Sequence, residues 1–424
     1  MFGAILTREF RRQKNRQREE AGRVAQPAPR RRPAKRPARV HATANPEMEQ
    51  VAKTASHGRA SQPSAFRVCA VEPALAQRIA DRYDLWPSDA AHSIVYHPCY
   101  NIGFFGVENF HPFDSKKYQK VVAYLGKRGV LPTTWTGGLP GGVAIAPREA
   151  TEAELLDLHE KAYLDALRHS KKVAQVCALD LLGFLPSFIL VPRLVRPMRT
   201  MVHGTTLALA VAATRGACLH LGGGMHHACA EDGDGWCMFD DWYLALRRLR
   251  VASGGAVRRA LFIDTDAHQG NGLERDIMTF GDADVEVLDV FNEEIYPLDY
   301  DARQAIHVPV PLRCNTKDKA YLSKLAKALE STLGQQAQKQ YDVVMYNAGT
   351  DVLDGDPLGV LKVSPEGVVR RDEMVFRAAL DAKVPIALCT SGGYASNSWH
   401  VIAQSFENLH NKFGLLTPPR QGGG

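Results

Sequence analysis

A chain of 424 residues, 45% hydrophobic and 23% charged, has the balance of a globular protein able to bury a sizeable core. No apolar run reaches the roughly 18 residues a membrane span needs, and the longest, near 181–191, reads as buried packing. The net charge of +6 belongs to the start of the chain: residues 1–40 hold 13 Lys/Arg against 3 Asp/Glu, leaving the rest near −4, which argues against nucleic-acid binding by the folded body.

Residues 1–64 are rich in Arg, Ala, Pro, Gln and Ser and lack sustained apolar periodicity, so they are expected to be a disordered basic tail. The stretch at 32–36 fits a nuclear import signal, and the Arg-rich, acid-poor character also fits a mitochondrial or chloroplast transit peptide. Nucleus and/or cytoplasm is the expected location, with an organelle as the alternative. Eight cysteines (Cys69, Cys99, Cys177, Cys218, Cys229, Cys237, Cys314, Cys389) form no C-x-x-C pair, which argues against a disulfide framework or a cysteine zinc site.

From about Phe66 short apolar runs alternate with helical patterns. Strands are predicted at 93–96, 217–221, 260–263, 285–288, 343–346 and 385–388. Helices are predicted from Thr151, where Thr151 and Glu154 form a capping box, over 319–339, and over 397–413. This alternation implies an α/β fold with a mostly parallel central sheet covered by helices on both faces. One catalytic domain is expected over 65–418, with a flexible end at 419–424.

Four polar clusters follow predicted strands, where α/β sheets carry their sites. Asp264-Thr265-Asp266-Ala267-His268 sets ligand-type side chains at alternate positions, and two carboxylates with an imidazole suit an open, catalytic metal site. Gly222-Gly223-Gly224-Met225-His226-His227 is a glycine-rich turn delivering two histidines, one of which can take a proton from water and return it to a leaving amine. The 349–357 loop offers Asp351, Asp354 and Asp356. Asp356, between Gly355 and Pro357, is taken as the third ligand, although spacing alone does not separate it from the other two. In Ser391-Gly392-Gly393-Tyr394 the glycines leave the phenol free to stabilise an oxyanion.

Together these elements resemble the histone deacetylase family over roughly residues 93–415. The runs D-A-H-Q-G-N-G-x-E-R-D (266–276), H-P-F-D (111–114), Y-N-A-G-T-D (346–351) and T-S-G-G-Y (390–394) look most like its class IV. The resemblance implies an arginase/deacetylase-like three-layer fold and a zinc-dependent lysine deacylase. By it, Asp266, His268 and Asp356 would bind one Zn²⁺. His227 would be general base and then acid, with His226 its electrostatic partner oriented by Asp264. Asn271, standing where many relatives have an aspartate, would orient His227, and Tyr394 would hold the oxyanion. The Gly235 carbonyl would accept the substrate amide N–H, and Trp236 and Tyr296 would line the lysine channel. A structural K⁺ is expected beside Asp264 and the backbone around Asp266 and His268. The expected partners are acylated lysine side chains of histones or other proteins, and class IV suggests long fatty acyl groups. The alternatives are an acetylpolyamine or other small-molecule amidohydrolase and a catalytically silent acyl-lysine-binding scaffold.

Overall fold

Strands whose every side chain is apolar or buried can pair only inside a sheet covered on both faces. Such runs occupy β2 (Ala217–His220), β3 (Ala260–Asp264), β4 (Val285–Asp289), β6 (Val343–Asn347) and β7 (Ile386–Cys389), all fully buried. With β1 (Ile94–Val95) and β5 (Ile306–Pro309) they form one seven-stranded sheet in the order β1-β2-β7-β6-β3-β4-β5. Every pairing is parallel, where the sequence predicted a mostly parallel sheet. The computed structural model describes residues 71–85, 93–102, 116–131, 145–335, 337 and 340–415. The predicted tail at 1–64, the H-P-F-D run and the 419–424 end lie outside these residues.

Helices cover both faces of the sheet. The longest, α1 (Ser187–Arg215), packs against β2 and β7 and beside a second helix, α2 (Asp241–Ala252). Its second half is buried on every side, as expected of a helix apolar all round. Three further helices pack in succession: α3 (Asp318–Leu333), α4 (Pro365–Asp381) and α5 (Ser398–Phe413). The predicted capping box is present, with Thr151 Oγ1 accepting from the Glu154 N–H at 3.2 Å and Glu154 Oε2 accepting from the Thr151 N–H at 2.8 Å. Among the described residues seven cysteines are free thiols.

The register explains why the site sits where it does. The last rung of the sheet aligns His220 with Cys389, Cys389 with Asn347, Asn347 with Asp264, and Asp264 with Asp289. Apolar strands thus end in one polar row spanning five neighbouring strands. The chain leaves β3 toward β4 and β5, and leaves β6 toward β7 on the other side. Ligand sites form beyond the carboxyl ends of strands at such a switch point.

Candidate active site

The turn after β2 is held from below by a buried carboxylate. Asp241, first residue of α2, accepts the Gly224 N–H at 2.9 Å on Oδ2 and the Met225 N–H at 2.8 Å on Oδ1. Gly224 has φ +79°, and a Cβ there would fall 2.3 Å from Asn347 Oδ1, so only glycine lets the turn approach the polar rung. The turn presents His226 and His227 side by side, ring centroids 4.1 Å apart.

Beyond β3, Asp266 and His268 meet Asp351 from the loop after β6. His268 Nδ1 lies 3.1 Å from Asp266 Oδ1 and 2.8 Å from Asp351 Oδ2, all three residues being buried. Burial, with the charge of Asp266 added, raises the Asp351 carboxyl to about 7. Burial opposes charge on His268, yet hydrogen bonds to Asp266 and Asp351 lift it to about 10. Within the cluster Asp351 and His268 are raised while Asp266 is held well below the ordinary carboxylate range, burial opposing it and the His226 and His268 charges lowering it. Their N and O donors fit a divalent borderline metal. The cradle is tight, since a Cβ on Gly349 would come within 2.1 Å of Asp266 Oδ2.

The two histidines have different partners. His226 Nδ1 lies 2.7 Å from Asp264 Oδ2, whose other oxygen accepts the Asp266 N–H at 3.0 Å and the Asn347 amide at 3.1 Å. Burial works against charge on His226, but Asp264 and Asp266 outweigh it and lift the ring to about 9. His227 Nδ1 lies 2.8 Å from Asn271 Oδ1. Burial, then the charges of His226 and His268, push His227 well below the ordinary histidine range. The two neighbouring imidazoles are thus biased in opposite directions, His226 toward the charged form and His227 toward the neutral one.

A cavity of about 600 Å³, including its open mouth, is lined by both histidines, Asp266, His268, Gly235, Trp236 and Tyr394. Burial, with the charges of Asp266 and Asp351, keeps Tyr394 a neutral phenol able to donate. Tyr296 stands 5.0 Å from the His227 ring between centroids and donates to Asp234. Trp236 and Ser391, at φ +68° and +47°, are non-glycine residues in left-handed backbone, a local strain placed at the cavity wall.

A Histone deacetylase domain model matches residues 111–409. The chain belongs to the histone deacetylase family. Histone deacetylase 2 of Arabidopsis thaliana is 42% identical over 332 residues, covering 77% of this chain and 81% of that protein. Acetoin utilization protein AcuC of Staphylococcus xylosus is 25% identical, covering 71% of this chain and 77% of its own length. In fold the chain is similar to the HDA15 HD domain, with TM-score 0.54 and 19% identity over 76% of this chain and 95% of that one. It is also similar to an acetylpolyamine aminohydrolase from Burkholderia pseudomallei, with TM-score 0.56 and 18% identity over 76% and 98%. The fold is the arginase/deacetylase-like one.

The predicted ligands Asp266 and His268 are joined in the converging cluster by Asp351, while Asp356 lies in the same loop with other partners. Asp356 is not among the converging donors: its Oδ1 accepts the Leu358 and Gly359 N–H groups at 2.9 and 3.1 Å, and its Oδ2 those of Tyr394 and Ala395 at 2.8 and 3.0 Å. All four acceptor positions of the carboxylate are filled by backbone. The third member of the cluster is Asp351, whose other oxygen takes the Ala267 N–H at 2.8 Å. The remaining predicted residues come together in and around the cavity: His226, His227, Asp264, Asn271, Tyr394, Asp266, His268, Gly235, Trp236 and Tyr296. Sequence reasoning gave no role to Asp241, Asn347, Ser391 or Arg371. Ser391 Oγ lies 3.3 Å from Asp266 Oδ2, and the buried Arg371 guanidinium donates to the Thr265, Ala348 and Gly349 carbonyls, pinning the ligand loops. Asn347, at the end of a strand, and Ser391, in the cluster that carries Tyr394, had a local signal; Asp241 and Arg371 had none.

Proposed function

We propose that this chain hydrolyses N-acyl-lysine amides of histones or other proteins, with zinc as resident metal. The observation carrying the reading is the convergence, in and beside one cavity, of the Asp266-His268-Asp351 cluster, two adjacent imidazoles biased toward opposite charge states, and a phenol held neutral. A zinc ion held by Asp266, His268 and Asp351 would supply Lewis acidity toward water and the scissile carbonyl. His227 accepts the water proton at Nε2 and delivers a proton to the departing lysine amine. His226, held by Asp264, offsets the developing negative charge. The Tyr394 phenol donates to the oxyanion. The Gly235 carbonyl accepts the substrate amide N–H, and Trp236 and Tyr296 flank the aliphatic stem.

The run at 266–276 supports a class IV assignment. Ile102, Met198, Met201 and Met225 line the same cavity, a deformable apolar wall that favours an acyl group longer than acetyl. A potassium ion beside Asp264 is a companion proposal, supported by the fully buried Asp289, whose Oδ1 has no hydrogen-bond partner. An acetylpolyamine substrate is a second reading, favoured by the exposed acids Glu231, Asp232 and Asp234 near Gly235.

The test is a panel of acetyl-, octanoyl- and myristoyl-lysine peptides together with acetylspermidine. Release of carboxylate and free amine fastest from myristoyl-lysine is expected. Far faster cleavage of acetyl-lysine would remove the long-chain preference, and turnover of acetylspermidine alone would replace the protein-lysine reading.

A further inference from the structure

His227 acts as a base at Nε2 only if its Nδ1 carries the proton, and that proton needs an acceptor. The acceptor is Asn271 Oδ1 at 2.8 Å. An asparagine amide can flip, and a flipped Asn271 would offer its N–H to Nδ1 and select the opposite tautomer. What decides the orientation lies one residue further out. Asn271 Nδ2 donates to Asp299 Oδ2 at 3.2 Å, and a carboxylate only accepts, so Nδ2 is drawn to that side and Oδ1 is left for His227.

Asp299 is itself held from three directions. Arg275 donates to Oδ2 from Nε at 2.7 Å and Nη2 at 2.6 Å. The Ala302 N–H donates to Oδ1 at 3.1 Å, and the Asp299 carbonyl accepts Gln269 Nε2 at 3.0 Å. Asn271 and Arg275 are one turn apart on the same helix, Asn271–Phe280, so the anchor is rigid relative to the amide it orients. The donors converge on Asp299: Arg275 donates to it from one side, while on the other His227 donates to Asn271 Oδ1 and Asn271 donates to Asp299.

We propose that Asp299, braced by Arg275, is a positioning residue for the general base, acting through Asn271 to keep His227 in the Nδ1–H tautomer. The proposal rests on the deacylase reading for its catalytic consequence, but not for the tautomer itself. Asp299 touches no reacting atom. Its loss frees the Asn271 amide and divides His227 between two tautomers, only one of which can accept a proton at Nε2.

The test uses full-length protein carrying Asp299→Ala, Arg275→Ala, Asn271→Ala and the Asp299→Ala/Asn271→Ala pair. Kinetics are measured on the acyl-lysine peptide that the wild type cleaves fastest. Asp299→Ala is expected to lower kcat about tenfold with KM within about twofold, and to cost less than about twofold in the Asn271→Ala background. Nitrogen-15 spectra of histidine-labelled protein, with His227 assigned by loss of its signals in His227→Ala, should show Nδ1–H in the wild type and Nε2–H gained in Asp299→Ala. Equal losses in both backgrounds, or an unchanged tautomer, would overturn the proposal. If Asp299→Ala fails to fold, Arg275→Ala, at an exposed residue, carries the same tautomer test. A wild type that cleaves no acyl-lysine peptide sinks the deacylase reading, while the substrate-free spectra still decide this one.

Discussion

Replacing Asp351 and Asp356 separately by alanine distinguishes a metal ligand from a loop clasp. Asp356→Ala strips the acceptor from four backbone N–H groups. A hydrogen bond to a charged group contributes about 1.5–3 kcal/mol, and with water refilling part of the space the summed loss is about 4 kcal/mol. At roughly 2.1 cal/mol/K of unfolding entropy per residue, a folded unit of about 350 residues melts about 5 °C lower. On the proposed ligand set of Asp266, His268 and Asp351, metal content is expected to hold. Asp351→Ala deprives only Ala267 N–H and His268 of partners and relieves carboxylate crowding, so the metal-free melt changes by about 1 kcal/mol. Metal affinity then falls by more than the roughly 100-fold that loss of an outer hydrogen-bond partner costs. Elemental analysis of the purified variants, paired with thermal melts of chelator-treated protein, reads both. Metal lost from Asp356→Ala with a normal melt, and retained by Asp351→Ala, would refute the assignment.

Tyr394→Phe should lower kcat by about 10²–10³ while metal content and KM hold, as expected for a donor used mainly in the transition state; an unchanged kcat rules the phenol out. Gly349→Ala places a methyl 2.1 Å from Asp266 Oδ2 and should weaken metal retention at least tenfold or so in a chelator competition, a loss on the scale of a disturbed ligand. Asp276→Asn concerns a second buried carboxylate pair, Asp276 and Asp240, each with an Oδ2 that has no hydrogen-bond partner, where burial raises Asp276 to about 6. Because that folded value lies above the ordinary 3.8, the native protein is fully stabilised below about pH 4 and loses stability as pH climbs through about 6. The amide escapes this loss, so the variant should gain about 3 kcal/mol at pH 8 and nothing at pH 4, read as melting temperature against pH; a gain independent of pH contradicts the raised carboxyl.

Much of this was legible because apolar runs announce buried strands and the residue ending each run lands on one rung. Asp264 and Asn347 illustrate the point: each closes an apolar segment, and parallel register sets them side by side. What stayed hidden was decided by three-dimensional proximity. The Gly355 and Pro357 flanks identify Asp356 as a turn residue, and a turn residue satisfies backbone, which is why it clasps the loop while Asp351 meets Asp266 and His268. β5 is a half-exposed edge strand of four residues ending in Pro309, too short for alternation to show. Helix α1 was disguised by Pro192 and Pro197 in its first half. Asp299 gave no signal, since its role depends on meeting Asn271 from a loop 28 residues away.

The central claim is metal-assisted amide hydrolysis at the Asp266, His268 and Asp351 cluster. Chelator-stripped full-length protein, titrated back with zinc while amine release from a myristoyl-lysine peptide is followed, tests it most directly. Activity should vanish on stripping and return in full with one zinc per chain. Turnover undiminished in the metal-free protein would contradict the account.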